Sequence, residues 1–295
     1  LVRLQNEAFY GCENLKEIDF GNGIEQIGGA ENKHIFSGCP VEKLIFPPQV
    51  KEIGISAFYS CGELKEIIFE EGLKYIREGA FKNCPKLTEV NLPESIKNVG
   101  LDAFVCEIAR EKIQDININL TTIPKGLGRA IIHPGSMQTP RCVNVHVPNK
   151  NETFDFVIPD CVSATTNGYS EIVTGFNLMA SDPKYCKKFH HLKWLNTAFM
   201  YASNSRFKYV CAYKTYKRTK NELAKEYLID YQKMAADAIA LELTEKDFVD
   251  FVKLRCINLE YDSCIMKRLQ EKNWNIALVY MLEEGNGKTK DALVI

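Results

Sequence analysis

The sequence has no apolar run long enough to cross a bilayer. A membrane-spanning helix needs roughly 18 consecutive apolar residues, and no run in this chain approaches that length. A charged and then apolar leader is also missing at Leu1. These absences predict a soluble chain and favour the cytoplasm, whereas a leader lost upstream of Leu1 would place the protein at the cell surface or outside the cell.

The cysteine count argues against a disulfide framework. The chain has 11 cysteines, an odd number, in 295 residues, whereas disulfide-dense domains are small and pair their cysteines. We therefore predict reduced, buried thiols that pack as small apolar side chains. Four of these cysteines lie three residues after a recurring phenylalanine: Cys12, Cys39, Cys61 and Cys84.

The net charge is also small, at -1 for 37 basic and 38 acidic residues. The charges are unevenly distributed, however. Residues 1–119 carry 13 Lys and Arg against 19 Asp and Glu, whereas residues 184–225 carry 11 against 1. A basic, aromatic-rich segment therefore lies between two acidic regions.

A repeated pattern occupies the first third of the chain. Its phenylalanines, Phe9, Phe36, Phe58, Phe81 and Phe104, are spaced 27, 22, 23 and 23 residues apart. This period predicts a leucine-rich solenoid in which each unit adds one strand and stacks on the next. The predicted strands cover residues 15–20, 41–46, 64–69 and 87–92. Alternation along them points four apolar pairs inward: Ile18 and Phe20, Leu44 and Phe46, Ile67 and Phe69, and Val90 and Leu92.

The repeat has a specific consensus. It reads Ala-Phe-x-x-Cys-x-x-Leu-x-x-Ile-x-Phe/Leu, followed by a Pro or Gly turn and a Val/Ile-x-x-Ile-Gly ending, and residues 57–76 and 80–99 are its cleanest copies. Over about residues 1–106 the chain resembles the BspA-like class of leucine-rich repeat proteins. The resemblance implies a short right-handed coil for protein or surface recognition, common in bacteria and some protists, with no catalytic residues. The missing alanine before Phe36 and the early cysteine after Phe104 indicate an irregular second unit and a terminal capping unit.

The repeat pattern is lost after residue 107. The spacing of Phe104, Ile108 and Ile113 predicts a capping helix, and the Gly-, Pro- and Thr-rich stretch that follows Leu120 predicts a linker. Alternating apolar residues at 143–147 and 154–158 predict a β-hairpin near residues 141–159.

From about residue 184 the apolar spacing becomes helical. One predicted apolar face carries Phe189, Leu192, Leu195 and Phe199. A second carries Leu223, Tyr227, Tyr231, Met234, Ala238 and Leu241. Thr244 with Asp247 predicts a capped helix start, Asn273 or Asn275 predicts another, and Gly285 predicts a helix end. The segment from Lys246 to Glu284 loosely resembles ankyrin-like helix pairs, although it lacks the Thr-Pro-Leu-His element.

These patterns predict an α+β chain in three parts. The parts are a leucine-rich β-solenoid with its terminal cap at 1–120, a linker with a small β element at 121–183, and an all-α domain at 184–295.

Two motifs suggest chemistry but remain incomplete. Gly287-Lys288-Thr289 ends like a phosphate-binding loop, yet Leu282 stands where that loop needs a glycine. Cys186 with His190 and His191 has the spacing of metal ligands on a helix, but no further ligands complete four-coordinate zinc. We therefore predict no catalytic residue, no metal and no cofactor.

The predicted function is protein or surface recognition by the outward side of the solenoid sheet. Two isoleucines among charged residues predict an apolar strip rimmed by charge, unless later parts of the chain fold over it. The candidate binding residues are Glu17, Asp19, Lys43, Ile45, Glu66, Ile68, Glu89 and Asn91.

The alternative is nucleic-acid binding by the basic segment 184–225. Its lysines and arginines alternate with aromatic residues, a composition that serves single-stranded nucleic acid, and equally the composition of a helical layer with an aromatic core. The candidate residues for this alternative are Lys187, Lys188, Lys193, Arg206, Lys208, Lys217 and Arg218.

Overall fold

The computed structural model describes residues 4–31, 33–108, 114–135, 140–148, 153–181, 197–254 and 262–285. The chain divides into two compact units, Leu1–Asn204 and Ser205–Ile295. The N-terminal unit contains a β-solenoid, and the second unit is helical. The three-part division expected from the sequence stays a prediction.

One wall of the solenoid is a six-stranded sheet. Its strands, in spatial order, are β11 (Thr153–Pro159), β10 (Cys142–Pro148), β8 (Ile116–Leu120), β6 (Glu89–Leu92), β4 (Glu66–Phe69) and β2 (Lys43–Phe46). All neighbouring pairs are parallel except β10 and β11, which are antiparallel. Three of the four strands predicted from the repeat are confirmed over their last four residues.

A second wall consists of four very short parallel strands. They are β1 (Gln26–Ile27), β3 (Glu52–Ile53), β5 (Tyr75–Ile76) and β7 (Asn98–Val99). The glycine that ends the repeat belongs to this wall, because a Cβ atom at Gly54 would collide with the backbone of the preceding turn at Ile27 and Gly29. The repeat pattern predicted apolar packing here but did not predict a sheet.

Two columns of stacked aromatic rings fill the solenoid. Neighbouring rings of the first column, formed by Phe9, Phe36, Phe58, Phe81 and Phe104, lie 5.0, 5.2, 5.5 and 5.7 Å apart between centroids. The second column stacks Phe20, Phe46 and Phe69 at 5.2 and 5.3 Å. Because each turn places its phenylalanine on the preceding copy, the recurrence in sequence becomes a continuous core.

The first predicted strand is wrong as a strand. Residues 15–20 adopt no regular secondary structure, and Ile18 is only half-buried. Phe20 nevertheless lies in the core with 4% of its surface exposed. The side-chain pattern therefore holds in this turn although the backbone forms no ladder with Lys43–Phe46.

The recurring cysteine of the repeat is buried at three of its four predicted positions. The thiols of Cys39, Cys61 and Cys84 each donate to the carbonyl of the phenylalanine one turn earlier, at 3.1, 3.3 and 3.3 Å. Cys12 is exposed, and this contradicts the prediction of a buried thiol there. The reason is geometric, since the described residues place no earlier turn over Cys12.

The coil continues beyond the recognisable repeats. β8 pairs in parallel with β6, Asn98 bridges to Lys125, and the amide of Phe104 donates to the carbonyl of Ala130 at 2.9 Å. A short helix, α1 (Leu127–Ile131), lies at this turn. The linker expected after Leu120 is therefore wrong, because a further turn forms without the consensus. The expected capping helix is absent from the described residues 102–108, and Ile113 lies outside the described residues.

The predicted hairpin is confirmed, with Val145 opposite Phe156. β10 adds in parallel to β8, so the hairpin extends the solenoid sheet instead of forming a separate β element. The other elements in the described part of this unit are β9 (His133–Pro134), β12 (Cys161–Val162), α2 (Gly168–Ser181) and a 3-10 helix at Ala198–Tyr201. The helix α2 was not predicted.

A buried contact between an arginine and an aspartate joins the hairpin to the repeats. Arg141 and Asp160 are 2% and 0% exposed, and Arg141 Nε lies 3.5 Å from Asp160 Oδ2. The guanidinium also donates to the carbonyls of Leu87 and Phe104, at 3.3 and 2.7 Å. Burial raises the pKa of the Asp160 carboxyl to about 7, against the opposing attraction of Arg141.

The second unit contains six described helices. They are α3 (Ser205–Thr219), α4 (Glu222–Asp230), α5 (Gln232–Glu242), α6 (Glu245–Val252), α7 (Ser263–Glu271) and α8 (Asn275–Gly285). The predicted cap at Thr244 is confirmed as a reciprocal capping box with Asp247. Asn275, one of the two predicted caps, is the first residue of α8, and Gly285, the predicted end, is its last residue.

One predicted apolar face of this unit is wrong at three of its six residues. Leu223, Tyr231 and Met234 are exposed, whereas Ala224 and Leu228 are buried instead. The chain breaks between α4 and α5 at Tyr231, so a single helical period does not run through both helices. In the other predicted face, Phe199 is buried, and Phe189, Leu192 and Leu195 lie outside the described residues.

Candidate interaction surface

The outward side of the six-stranded sheet forms two columns of side chains in register. Along the first column Ile45 pairs with Ile68, Ile68 with Asn91, and Asn91 with Asn119. Along the second, Lys43 pairs with Glu66, Glu66 with Glu89, and Glu89 with Asn117. The inward neighbours Leu44, Ile67 and Val90 are buried. The strand register predicted from the sequence is therefore correct.

The two isoleucines differ in accessibility. Ile45 exposes 46% of its surface, and Ile68 is half-buried. They are neighbours on adjacent strands, which lie about 4.8 Å apart in a sheet, so together they form one apolar strip. Large isoleucine side chains on an otherwise polar sheet face are typical of contact surfaces.

Charge pairs between strands surround the strip. Lys43 Nζ lies 3.0 Å from Glu66 Oε2, and Lys65 Nζ lies 2.7 Å from Glu42 Oε2. Glu89 has no ion pair with any described residue and accepts only from the amide of Asn119, at 3.3 Å. Such exposed pairs contribute about 0 to 1 kcal/mol each, so they shape the local potential more than they stabilise the fold.

The other acidic candidates lie at one end of this face. Glu17 and Asp19 are exposed, but they belong to the segment that forms no strand. Asp19 Oδ1 accepts from the amide of Gly21 at 2.8 Å. The structure therefore brings together Lys43, Ile45, Glu66, Ile68, Glu89 and Asn91 in one ladder and leaves Glu17 and Asp19 outside it.

Sequence reasoning missed an amide row that continues the same face. Asn144 Nδ2 donates to Asn117 Oδ1 at 3.0 Å, and Asn119 Nδ2 donates to Asn91 Oδ1 at 2.8 Å. His146 completes the row, with Nδ1 2.9 Å from Asp155 Oδ1. The only sequence signal was alternation in 116–120, which was overlooked because those residues lack the repeat consensus.

Two of the candidate cations in the basic segment, Lys217 and Arg206, pair with acidic side chains. Lys217 Nζ lies 2.8 Å from Asp247 and 3.2 Å from Asp250, and these carboxylates raise the pKa of Lys217 despite its partial burial. Arg206 Nη1 lies 3.7 Å from Glu242. Lys208 is half-buried and Arg218 is exposed on α3. Lys187, Lys188 and Lys193 lie outside the described residues.

One cluster has metal-ligand chemistry but already contains a cation. Asp102, Glu107 and His133 bring their ligand atoms within 4.8 Å of one another. Lys82 Nζ donates to Asp102 Oδ2 at 2.8 Å and to Glu107 Oε1 at 2.9 Å. Because its partners raise the pKa of Lys82, the ammonium neutralises the carboxylates that a metal would need. We interpret this cluster as an ion-pair network.

An open groove of about 410 Å³ lies among the described residues of the helical unit, lined by Tyr209, Met234 and Ile265 together with polar residues. Asp262 in its wall caps α7, and Asp237 pairs with Arg268 at 2.9 Å. These carboxylates therefore have structural roles. The phosphate-loop-like residues 287–289 and the metal-like set Cys186, His190 and His191 lie outside the described residues.

Comparison with protein families identifies the repeats. Residues 1–109 match the family described as the BspA type leucine-rich repeat region, in 6 copies. Residues 1–109 are therefore similar to BspA-type leucine-rich repeats. This confirms the leucine-rich part of the resemblance, whereas the ankyrin-like part is not confirmed. None of the curated proteins compared with the chain is similar enough to count as a relative.

Solved structures also match part of the chain. The pneumococcal vaccine antigen PcpA is 21% identical over 52% of this chain and 32% of its own, with a TM-score of 0.34. A leucine-rich repeat protein from Bacteroides capillosus is 24% identical over 33% of this chain and 64% of its own, with a TM-score of 0.24.

A third match is a leucine-rich cell surface protein from Faecalibacterium prausnitzii. It is 13% identical over 47% of this chain and 58% of its own, with a TM-score of 0.31. This chain therefore spans about a third of PcpA and less than two thirds of the other two proteins. Among the described helices, none is both long enough and apolar enough to span a membrane.

Proposed function

We propose that this chain is a non-catalytic interaction protein that binds a protein partner through the outward face of the BspA-type repeats. The observation that carries the proposal is the apolar strip of Ile45 and Ile68 on an exposed, in-register sheet face. Side chains on this face are held by neighbouring strands, so they present a preorganised surface. The eight candidate residues include four acids and one lysine, which favours a partner with basic groups.

The proposal is tested by crosslinking from the strip. A photoreactive amino acid placed at position 68 should capture a discrete partner from extracts of the cells that make this protein. The same group at position 78 is the matched control, because Glu78 is exposed and lies outside the six-stranded sheet. Equal capture from both positions would place the contact elsewhere.

Once the partner is purified, Ile68→Lys should abolish its binding. The melting temperature should stay within a few degrees of wild type, because a surface substitution usually changes stability by about 0.5 kcal/mol or less. Glu78→Lys, which adds a cation in the same unit, should retain full affinity. Retained affinity in Ile68→Lys would overturn the proposal.

We also propose that the helices between Lys246 and Glu284 form ankyrin-like pairs that extend the scaffold. Two contacts support this: α6 packs on α8, and α7 packs on α8. Two side chains add to these contacts, since Glu245 accepts from the first amides of α8 and Lys272 donates to carbonyls at the end of α5. An experimental structure in which α7 and α8 are not antiparallel would contradict the pairing.

A further inference from the structure

We propose that the outward sheet face binds an extended polypeptide that lies along β6 and β8 and carries a basic and an apolar side chain two positions apart. This inference rests on the proposed function and specifies the chemistry of its partner. It depends on three features of the face: its hydrogen-bonding capacity, its charge and the spacing of its side chains along the strand.

The amide row has hydrogen-bonding groups that the fold does not use. Asn91 accepts through Oδ1 from Asn119, and none of the described residues accepts from its Nδ2. Asn119 and Asn144 donate through Nδ2, and no described donor reaches their Oδ1 atoms. The row therefore offers both donors and acceptors, which is what an extended peptide backbone requires.

The charge of the face selects a basic side chain. Lys43 is paired with Glu66 at 3.0 Å, so these two charges cancel. Glu89, one strand further along, is exposed and has only an amide partner among the described residues. A lysine or arginine of the ligand would therefore complete an ion pair at Glu89.

The spacing sets the distance between the two side chains. Glu89 and Asn91 are two residues apart on β6, and Ile68 pairs with Asn91 across the ladder. Successive side chains on one face of an extended chain are about 6.8 Å apart, the same step as between Glu89 and Asn91. A peptide parallel or antiparallel to β6 that puts a cation over Glu89 thus puts its side chain two positions away beside Asn91 and Ile68.

A polypeptide fits better than a glycan. Sugar recognition commonly stacks the ring on an aromatic side chain. The outward residues of β2, β4 and β6 include no aromatic residue; they are Lys43, Ile45, Glu66, Ile68, Glu89 and Asn91. The isoleucine strip instead matches an aliphatic side chain of a peptide.

The experiment is selection from a random peptide display library on the full-length chain, with a glycan array as the parallel arm. We expect enrichment of peptides in which Lys or Arg is separated from Leu, Ile or Val by one residue. A synthetic peptide with that consensus should bind about fivefold more weakly to Glu89→Gln, the loss expected for one exposed ion pair. It should bind more than about tenfold more weakly to Ile68→Lys, which replaces the apolar contact with a repelling charge.

Two controls make the result specific. Glu78→Gln is the same substitution at an exposed position away from this sheet and should bind the peptide as wild type does. A peptide with two residues between the basic and apolar positions should lose affinity, because alternation then points the two side chains to opposite sides.

Three outcomes would overturn the inference: no enriched peptide, enriched peptides that bind Glu89→Gln and Ile68→Lys as well as wild type, or binding only on the glycan array. The proposed function fails separately. If a folded protein partner is still lost from Ile68→Lys while the peptide arm fails, the scaffold role stands and only the extended-peptide chemistry is wrong.

Discussion

Phe81 lies where the two aromatic columns meet. Its ring stacks on Phe58 and Phe104 at 5.5 and 5.7 Å and meets Phe46 and Phe69 edge-on at 6.1 and 6.0 Å. Its exposed fraction is 1%. A residue in this position supports two neighbouring turns at once, so its removal should affect the whole coil.

Phe81→Ala should lower the free energy of unfolding by about 3 to 5 kcal/mol, the usual cost of truncating a buried phenylalanine. Urea denaturation followed by circular dichroism measures the loss. Phe9→Ala is the control, because Phe9 is 38% exposed and stacks on only one neighbour, Phe36, and it should lose clearly less. A loss below about 1 kcal/mol for Phe81→Ala would contradict its interior position.

The thiols provide a second prediction at this scale. Burial raises the pKa of the Cys61 thiol to about 12 and also raises the pKa values of Cys39 and Cys84, so few thiolates form at neutral pH. A thiol reagent should modify Cys12 and Cys264 quickly in the native protein, since both are exposed. Cys39, Cys61 and Cys84 should react only on unfolding, as mass spectrometry of the labelled peptides would show.

Unfolded protein should then yield all 11 thiols. A disulfide that includes Cys39, Cys61 or Cys84 would contradict the reduced interior. Rapid native labelling of Cys61 would likewise mean that the coil opens far more often than its packing implies.

At the residue scale, the sequence predicted core residues where the same residue recurs from one repeat unit to the next. Phe58 and Cys61 were predicted as core residues because Phe81 and Cys84 repeat them one period later. Arg141 offered no such signal, since a single arginine is usually exposed. Its burial depends on Asp160 and on carbonyls from Leu87 and Phe104, which are distant in sequence.

At the scale of secondary-structure elements, the hairpin depends on the Arg141–Asp160 pair. The Asp160 carboxylate has an oxygen, Oδ2, that no described group hydrogen-bonds. Burial of this group disfavours the charged form and raises its pKa from an ordinary 3.8 to about 7. The hairpin contact should therefore respond to pH.

The direction of the pH dependence follows from how many protons Asp160 binds in the folded and unfolded states. The folded carboxyl holds its proton up to about pH 7, whereas the unfolded carboxyl releases it near pH 4, so the folded state binds more protons between these values. The stabilising contribution of Asp160 is complete below pH 4 and should be lost as the pH rises through 7. Comparison of the unfolding free energy of wild type and Asp160→Asn from pH 4 to pH 8 measures this slope.

The unfolding free energy of Asp160→Asn should not decline between pH 4 and pH 8, because an amide does not titrate. Asp19→Asn, an exposed substitution in the same unit, should keep the wild-type slope. Parallel curves for wild type and Asp160→Asn would show that the carboxyl is ionised throughout, held in that form by Arg141.

The helical unit has an equally local contact at Glu245. Its Oε1 accepts from the amides of Ile276 and Ala277 at 2.8 and 3.1 Å, which caps the N-terminus of α8 from a different helix. Glu245→Ala should cost about 1 kcal/mol, the typical value for a lost cap. Glu271→Ala, whose surface partner Lys267 lies 3.9 Å away, should change stability by less than about 0.5 kcal/mol. Equal losses of unfolding free energy in Glu245→Ala and Glu271→Ala, measured by urea denaturation, would contradict the capping role of Glu245.

The two errors at this scale have different physical origins. β8 and α1 form a turn of the coil although they lack the consensus, because parallel pairing with β6 needs only alternating apolar residues such as Ile116 and Ile118. The prediction of an apolar face through Leu223 and Tyr231 was wrong because the helix ends at Tyr231. Local spacing predicts a face only while one element continues.

At the scale of the whole molecule, the distribution of charge decides between the two functions inferred from the sequence. The repeats are acidic, and the basic segment 184–225 has the composition of a nucleic-acid binder. Composition could not reveal that Lys217 would lie between Asp247 and Asp250, because those carboxylates are about 30 residues away. A cation with two carboxylate partners must lose them before it can bind phosphate.

We therefore expect no tight binding of single-stranded oligonucleotide by the full-length chain. Fluorescence anisotropy of a labelled oligonucleotide should show a dissociation constant no tighter than about 10⁻⁴ M at moderate salt, the weak end of non-specific binding. Lys217→Gln should not change this result, because its ammonium already pairs within the fold, and Lys97→Gln on the repeats is the matched control. Tight, salt-dependent binding of the oligonucleotide would contradict this expectation. Micromolar binding that weakens by about a thousandfold between 50 and 200 mM salt would require several phosphate contacts, and its loss in Lys217→Gln but not in Lys97→Gln would assign them to the basic segment instead of the repeats.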